Sequence, residues 1–113
     1  MKLRNLTQHT VNIVAEDGTP IIDFPSEGNA RAEQTSEAIG VIGDVTIFKT
    51  SFGKPIDLPD PEEGVGLIVS VITANSAKEH GRSLDDLYVT FDLVRDPVNK
   101  GVILGCKGLA KLV

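Results

Sequence analysis

The chain has no tryptophan, one tyrosine and four phenylalanines, so aromatics make up only 4% of its 113 residues. Its core must therefore rest on Val, Ile and Leu, and the β-branched members of that set favour strands. There is one cysteine, Cys106, which permits no internal disulfide and suits a reducing compartment. Long apolar runs are missing. The longest, residues 65–72, is interrupted by Gly66 and Ser70 and falls far short of the ~20 residues a membrane helix needs. The opening Met1-Lys-Leu-Arg-Asn-Leu6 gives way at once to Thr7, Gln8 and His9, which is no signal-peptide core. Blocks of like charge are missing too. Sixteen acidic against eleven basic residues leave a net charge of −5, which argues against binding the phosphate backbone of a nucleic-acid duplex. A small anionic ligand stays open, because a few arginines in a concave site suffice to hold one.

What is present predicts one β-rich domain spanning residues 1–113. Such a chain buries roughly 65% of the surface its unfolded form exposes, enough for one modest core. Val11, Ile13 and Ala15 alternate with polar positions, although Val14 breaks the pattern. Asp17-Gly18 supplies a hairpin turn, and Pro20–Phe24 returns as the partner strand. Residues 30–42 have a weak two-residue period that favours a strand over a short helix. Val45–Phe52 is a strand by composition, and Ile56–Leu58 a short continuation. After the loop at residues 59–64, the run at 66–70 reads as a buried strand. Ser70 then caps a helix to His80 that Gly81 ends. Leu87, Val89, Phe91 and Leu93 alternate along a further strand. Two short segments, 102–104 and 109–113, finish the sheet. Turns every ~8–12 residues suit a small barrel or sandwich of six to eight strands with one short helix.

Several scattered segments carry a resemblance. Asn5-Leu-Thr-Gln-His9, Leu58-Pro59, Ile68-Val-Ser70, Arg82 with Asp86, Val94-Arg-Asp96 and Ile103-Leu-Gly-Cys-Lys-Gly-Leu109 together resemble a family of small uncharacterised bacteriophage and prophage proteins. That family usually opens Asn-Leu-Thr-Pro-His, and Gln8 departs from it. The resemblance implies a phage-related accessory role in the cytosol of a bacterial host; for a binding module placed there, the arginines and small polar residues of these segments suit a small anionic metabolite or a host protein as partner. It implies no activity, and it carries over no catalytic residue.

Three constellations bear on chemistry. Arg31, Arg82 and Arg95, helped by Lys54, Lys100 and Lys107, are candidates to converge on a nucleotide-like anion. Asn5, Thr7, His9 and Ser70 would supply neutral hydrogen bonds. The simpler reading pairs Arg82 with Asp85 or Asp86 and Arg95 with Asp96 or Asp92. His9 and Cys106 are the pair a cysteine-dependent enzyme would need, yet no hydrolase signature surrounds them, and a lone cysteine more often packs as a small hydrophobe. Neither Cys-x-x-Cys nor His-Glu-x-x-His occurs, so no metal or cofactor is expected. The apolar terminal segment 110–113 reads as a bare sheet edge that invites a homo-oligomer or a virion assembly contact. The reading that gathers these points is a non-catalytic binding module.

Overall fold

A computed structural model describes residues 2–112. It is mainly β, with eight strands in two sheets and one helix. The elements are β1 (Lys2–Asn5), β2 (Val11–Val14), β3 (Pro20–Phe24), β4 (Gln34–Ile42), β5 (Val45–Phe52), β6 (Val65–Ile68), α1 (Val71–Glu79), β7 (Leu87–Arg95) and β8 (Ile103–Ala110). Six strands share a mixed sheet in the order β1-β6-β7-β8-β2-β3, while β4 and β5 form a separate hairpin.

The sheet curls until its ends meet. Just after β3, Ser26 forms a parallel bridge with Asn5 of β1. Two backbone bonds extend this seam, from Glu27 N–H to Asn5 O (2.8 Å) and from Ala30 N–H to Leu6 O (2.9 Å). Apolar residues fill both sides of the sheet because strand side chains alternate. Leu67 and Val69 join Leu6, Leu84, Leu87, Val89 and the helix alanines Ala74 and Ala77 in one cluster. Ile68, between them in sequence, joins Val11, Ile13 and Cys106 in the other.

Local chemistry explains most boundaries. Gly18 takes φ +87° in the β2–β3 turn, and the Asp17 carboxylate accepts the Thr19 N–H at 2.9 Å. Those bonds to Thr19 hold the Asp17 carboxyl below its ordinary pKa. A register shift at Ile13/Val14 accounts for the broken alternation, since it lets both residues be buried. Ser70 caps α1 by accepting the Thr73 N–H, and Gly81 follows the helix at φ +77°. Gly43-Asp44 is a two-residue turn between β4 and β5, with Gly43 at φ +60° in the first turn position.

Several expectations change. Residues 103–104 and 109–110 of the two expected segments belong to one strand, β8, which runs unbroken through Gly105 and Gly108. That strand lies inside the sheet between β7 and β2 and ends at Ala110, so it is no free edge, and Val113 lies outside the described residues. Residues 30–33 precede β4, and Ile56 makes only an isolated bridge, to Arg31. In β7, Leu87 and Val89 are buried as the alternation suggests, but Phe91 and Leu93 are about half exposed and Val94 is buried. The helix covers only the first half of that strand face.

Candidate functional site

The loop after β1, the segment before β4 and the start of α1 enclose a depression of about 340 Å³. Thr7, Gln8 and His9 form one wall, Asn29 and Arg31 another, and Ser70 and Ile72 a third, with Thr73 at the floor. Thr73 locks the floor by donating its hydroxyl to the buried Ala30 carbonyl at 3.1 Å. Four residues singled out in the sequence, Thr7, His9, Arg31 and Ser70, thus border one concavity although they span 64 positions of the chain.

Their hydrogen-bonding capacity differs. The Thr7 hydroxyl is 2.6 Å from Asn5 Oδ1 and 2.9 Å from His9 O, and the Ser70 hydroxyl donates to Thr73 Oγ1 at 2.9 Å. These groups are already committed to holding the loop and the cap. The His9 ring makes no hydrogen bond among the described residues. Arg31 uses Nη1 for both Asn29 O (3.1 Å) and the Asp57 carboxylate (2.8 Å), and its Nη2 and Nε make no bond among those residues. Both side chains of the Arg31–Asp57 pair are at least half exposed, so the pair is weak and exchangeable. The first-turn N–H groups of α1 add a positive end, and no acidic residue sits in that turn.

Other expected contacts fall elsewhere. Asn5 is 0% exposed and holds four internal hydrogen bonds, so it supports the wall without meeting a ligand. Arg82 does not border the depression. It grips Asp86 through both Nη atoms at 2.8 and 2.9 Å and also donates to Pro59 O. Arg95 donates to Lys100 O in the β7–β8 connection, not to Asp96 or Asp92. Asp96 instead accepts the N–H groups of Val98 and Asn99, chiefly Asn99, which lower its carboxyl below the ordinary value. Lys107 bridges Glu16 and Asp92, and these contacts raise its pKa. The three arginines therefore do not converge. Gln8, Asn29 and Thr73 were not among the residues the sequence marked for a site. Only Thr73 carried a signal, its place three residues after a helix cap.

The Arg82–Asp86 pair is the most strongly committed charge pair. The side chains are only 13% and 11% exposed, and the geometry is bidentate. Removing one partner strands the other in a poorly hydrated site, which costs ~3–5 kcal/mol when such pairs are fully buried. Arg82→Met is expected to lower stability by about 3 kcal/mol, read as a drop in the urea midpoint. The double variant Arg82→Met/Asp86→Leu is expected to recover part of that loss.

A second concavity, of about 520 Å³, lies where β2, β7 and β8 meet. His9 and Cys106 both border it, so the two ends of the chain do meet. Cys106 is nevertheless 3% exposed within an apolar cluster, and no hydrogen bond joins its sulfur to the His9 ring among the described residues. No group of three or more His, Cys, Asp or Glu side chains is placed to hold a metal among those residues. No helix of the described residues is long and apolar enough to cross a membrane.

Comparison with protein-family models, with curated proteins and with solved structures gives no match. The class defined by fold and site is that of a small mainly-β domain with a depression edged by Arg31 at a helix N-terminus.

Proposed function

We propose that the protein is a non-catalytic binding module that captures a small anionic, nucleotide-like ligand in the depression between Thr7–His9, Arg31 and the start of α1. The observation that carries this reading is the concentration of unspent donors around that concavity. Arg31 retains Nη2 and Nε, His9 offers its ring, and the helix contributes a positive end in an otherwise acidic chain. The ligand's charged group would compete with Asp57 for the guanidinium, and Gln8 and Asn29 would meet its neutral edges. The resemblance to phage and prophage proteins supports placing such a module in a bacterial host cytosol, where sequestering a metabolite would interfere with a host process.

Thermal denaturation against mononucleotides, dinucleotides and cyclic oligonucleotides tests this directly. A ligand at 100 times its Kd adds ~2.7 kcal/mol to stability. For a domain of this size, 1 kcal/mol moves Tm by roughly 4–8 °C. Arg31→Gln is expected to abolish the shift while leaving the unliganded Tm within a few degrees, because the residue is exposed. Asp57→Asn is expected to enlarge it. Asp57 sits at φ +58°, which asparagine also adopts, so that variant frees Arg31 without backbone strain. A flat response across the panel at millimolar ligand removes the proposal.

A further inference from the structure

Among the described residues no further strand pairs with the β4–β5 hairpin. Its base is tied to α1, through the Ser76 hydroxyl bond to Gly53 O and the Phe52 N–H bond to Glu79. Beyond that base, Ile39, Val41, Ile42, Val45 and Phe48 are 60–72% exposed. The register puts Ile42 opposite Val45 and, on the other face, Val41 opposite Thr46 and Ala38 opposite Phe48. The outer half of the ribbon is therefore apolar on both faces. An isolated two-stranded hairpin is marginal in water. The arm also stretches the molecule. Its Cα radius of gyration is 16.7 Å against ~13 Å for a compact chain of about this length.

We propose that this hairpin is an exchange arm whose tip docks into the groove between β2, β7 and β8 of a second copy of this chain. The groove matches the arm in chemistry. Its floor holds Val11 and Cys106, half-exposed Leu93 and Ile103 stand at its rim, and none of its lining residues is Asp, Glu, Lys or Arg. The tip, residues 38–48, carries a single charge, on Asp44. In a chain of net charge −5, both surfaces are thus kept nearly free of charge, and the Asp44 carboxylate of the turn is the one ion of the tip that docking has to leave in water. Size fits as well. A stable interface takes ~20–30 residues a side. A reciprocal exchange supplies about that many from the 11 residues of the tip (38–48) and the 10 lining residues of the groove on each copy. An arm apolar on both faces calls for insertion into a groove, and two-fold exchange closes the assembly without leaving an open filament end.

Light scattering on the eluting protein, with sedimentation between ~10 and 100 µM, reads the result. The expected mass is twice the 12.1 kDa of one chain. The arm variant Val45→Asp/Phe48→Asp and the groove variant Leu93→Asp are each expected to elute as monomers with native circular dichroism. Each should weaken self-association on the order of 30-fold or more. Mixed together, they are expected to form a heterodimer, because one intact arm then meets one intact groove. If Leu93→Asp loses its native melt, Ile103→Asp takes its place. A monomeric wild type at 100 µM, or an arm variant that stays dimeric, overturns the proposal. Folded variants that remain monomeric when mixed also overturn it, because they place the contact arm against arm.

Discussion

Asn5→Leu is expected to lower folding stability by about 4 kcal/mol, a large part of the ~5–15 kcal/mol typical of a domain. Asn5 is fully buried, and its amide closes the seam between β1 and the end of β3 from inside. Its Nδ2 donates to His9 O at 2.7 Å and to Phe24 O at 2.8 Å. Its Oδ1 accepts from the Thr7 N–H at 2.9 Å and the Thr7 hydroxyl at 2.6 Å. One side chain thus ties β1 to the end of β3 and folds the β1–β2 loop over the depression. Leucine matches its branching but leaves the Phe24 carbonyl and the Thr7 N–H without these partners, and the His9 carbonyl with the Thr7 hydroxyl alone, each loss costing ~1–3 kcal/mol where water cannot replace the bond. Asn5→Asp is expected to cost nearly as much, since a carboxylate keeps the Thr7 contacts but faces the His9 and Phe24 carbonyls with no donor. Thr7→Val, which keeps the Thr7 N–H bond, is expected to cost only about 1 kcal/mol. Urea midpoints read these losses. Equal losses for Asn5→Leu and Thr7→Val would show that the carbonyl bonds contribute nothing.

Asn5 also marks the limit of what the chain reveals by inspection. Its residue type suggested a neutral hydrogen bond to a ligand, because asparagine is mostly exposed. Nothing nearby in sequence announces that Phe24 and Ser26 come back to it. Local features were far more legible. The Ser70 cap, the Gly81 stop, the Asp17-Gly18 turn and the strand character of residues 45–52 each rest on neighbours within a few positions. The local pairing of Arg82 with Asp86 was foreseeable for the same reason. The candidate site was half legible. Residue chemistry pointed to Thr7, His9, Arg31 and Ser70, but their convergence depends on the seam at Asn5 and on the Thr73 bond to Ala30 O. Pattern alone was also blind to the arm. The run from Gln34 to Phe52 shows strands, yet exposure on both faces depends on what the rest of the chain leaves uncovered.

The second large effect is expected at Gly105, where a methyl group should separate β2 from β8. A Cβ at this position would lie under 3.0 Å from the Asn12 carbonyl oxygen, and close as well to Val14 Cγ1 and the Asn12 carbonyl carbon. The obstacle is mostly backbone, so rotamer changes cannot relieve it. Relief requires the parallel contact at Ile13–Cys106 to open, and that contact is where β2 and β3 join the remaining four strands. Gly105→Ala is therefore expected to cost about 3 kcal/mol or more, at the upper end for overpacking. It should also expose Cys106, so that a thiol reagent labels the variant in the native buffer while the wild type reacts only after denaturation. Gly108→Ala is the matching control. It lies in the same strand with nothing within 4 Å of the added carbon, and is expected to change stability by no more than about 0.5 kcal/mol. Because Gly105 also borders the groove proposed for the arm, the two glycines separate two roles of β8. Gly105→Ala should weaken the fold and any self-association together, and Gly108→Ala neither. Equal urea midpoints for the two variants would mean that β2 and β8 do not approach as closely as Asn12 and Gly105 place them.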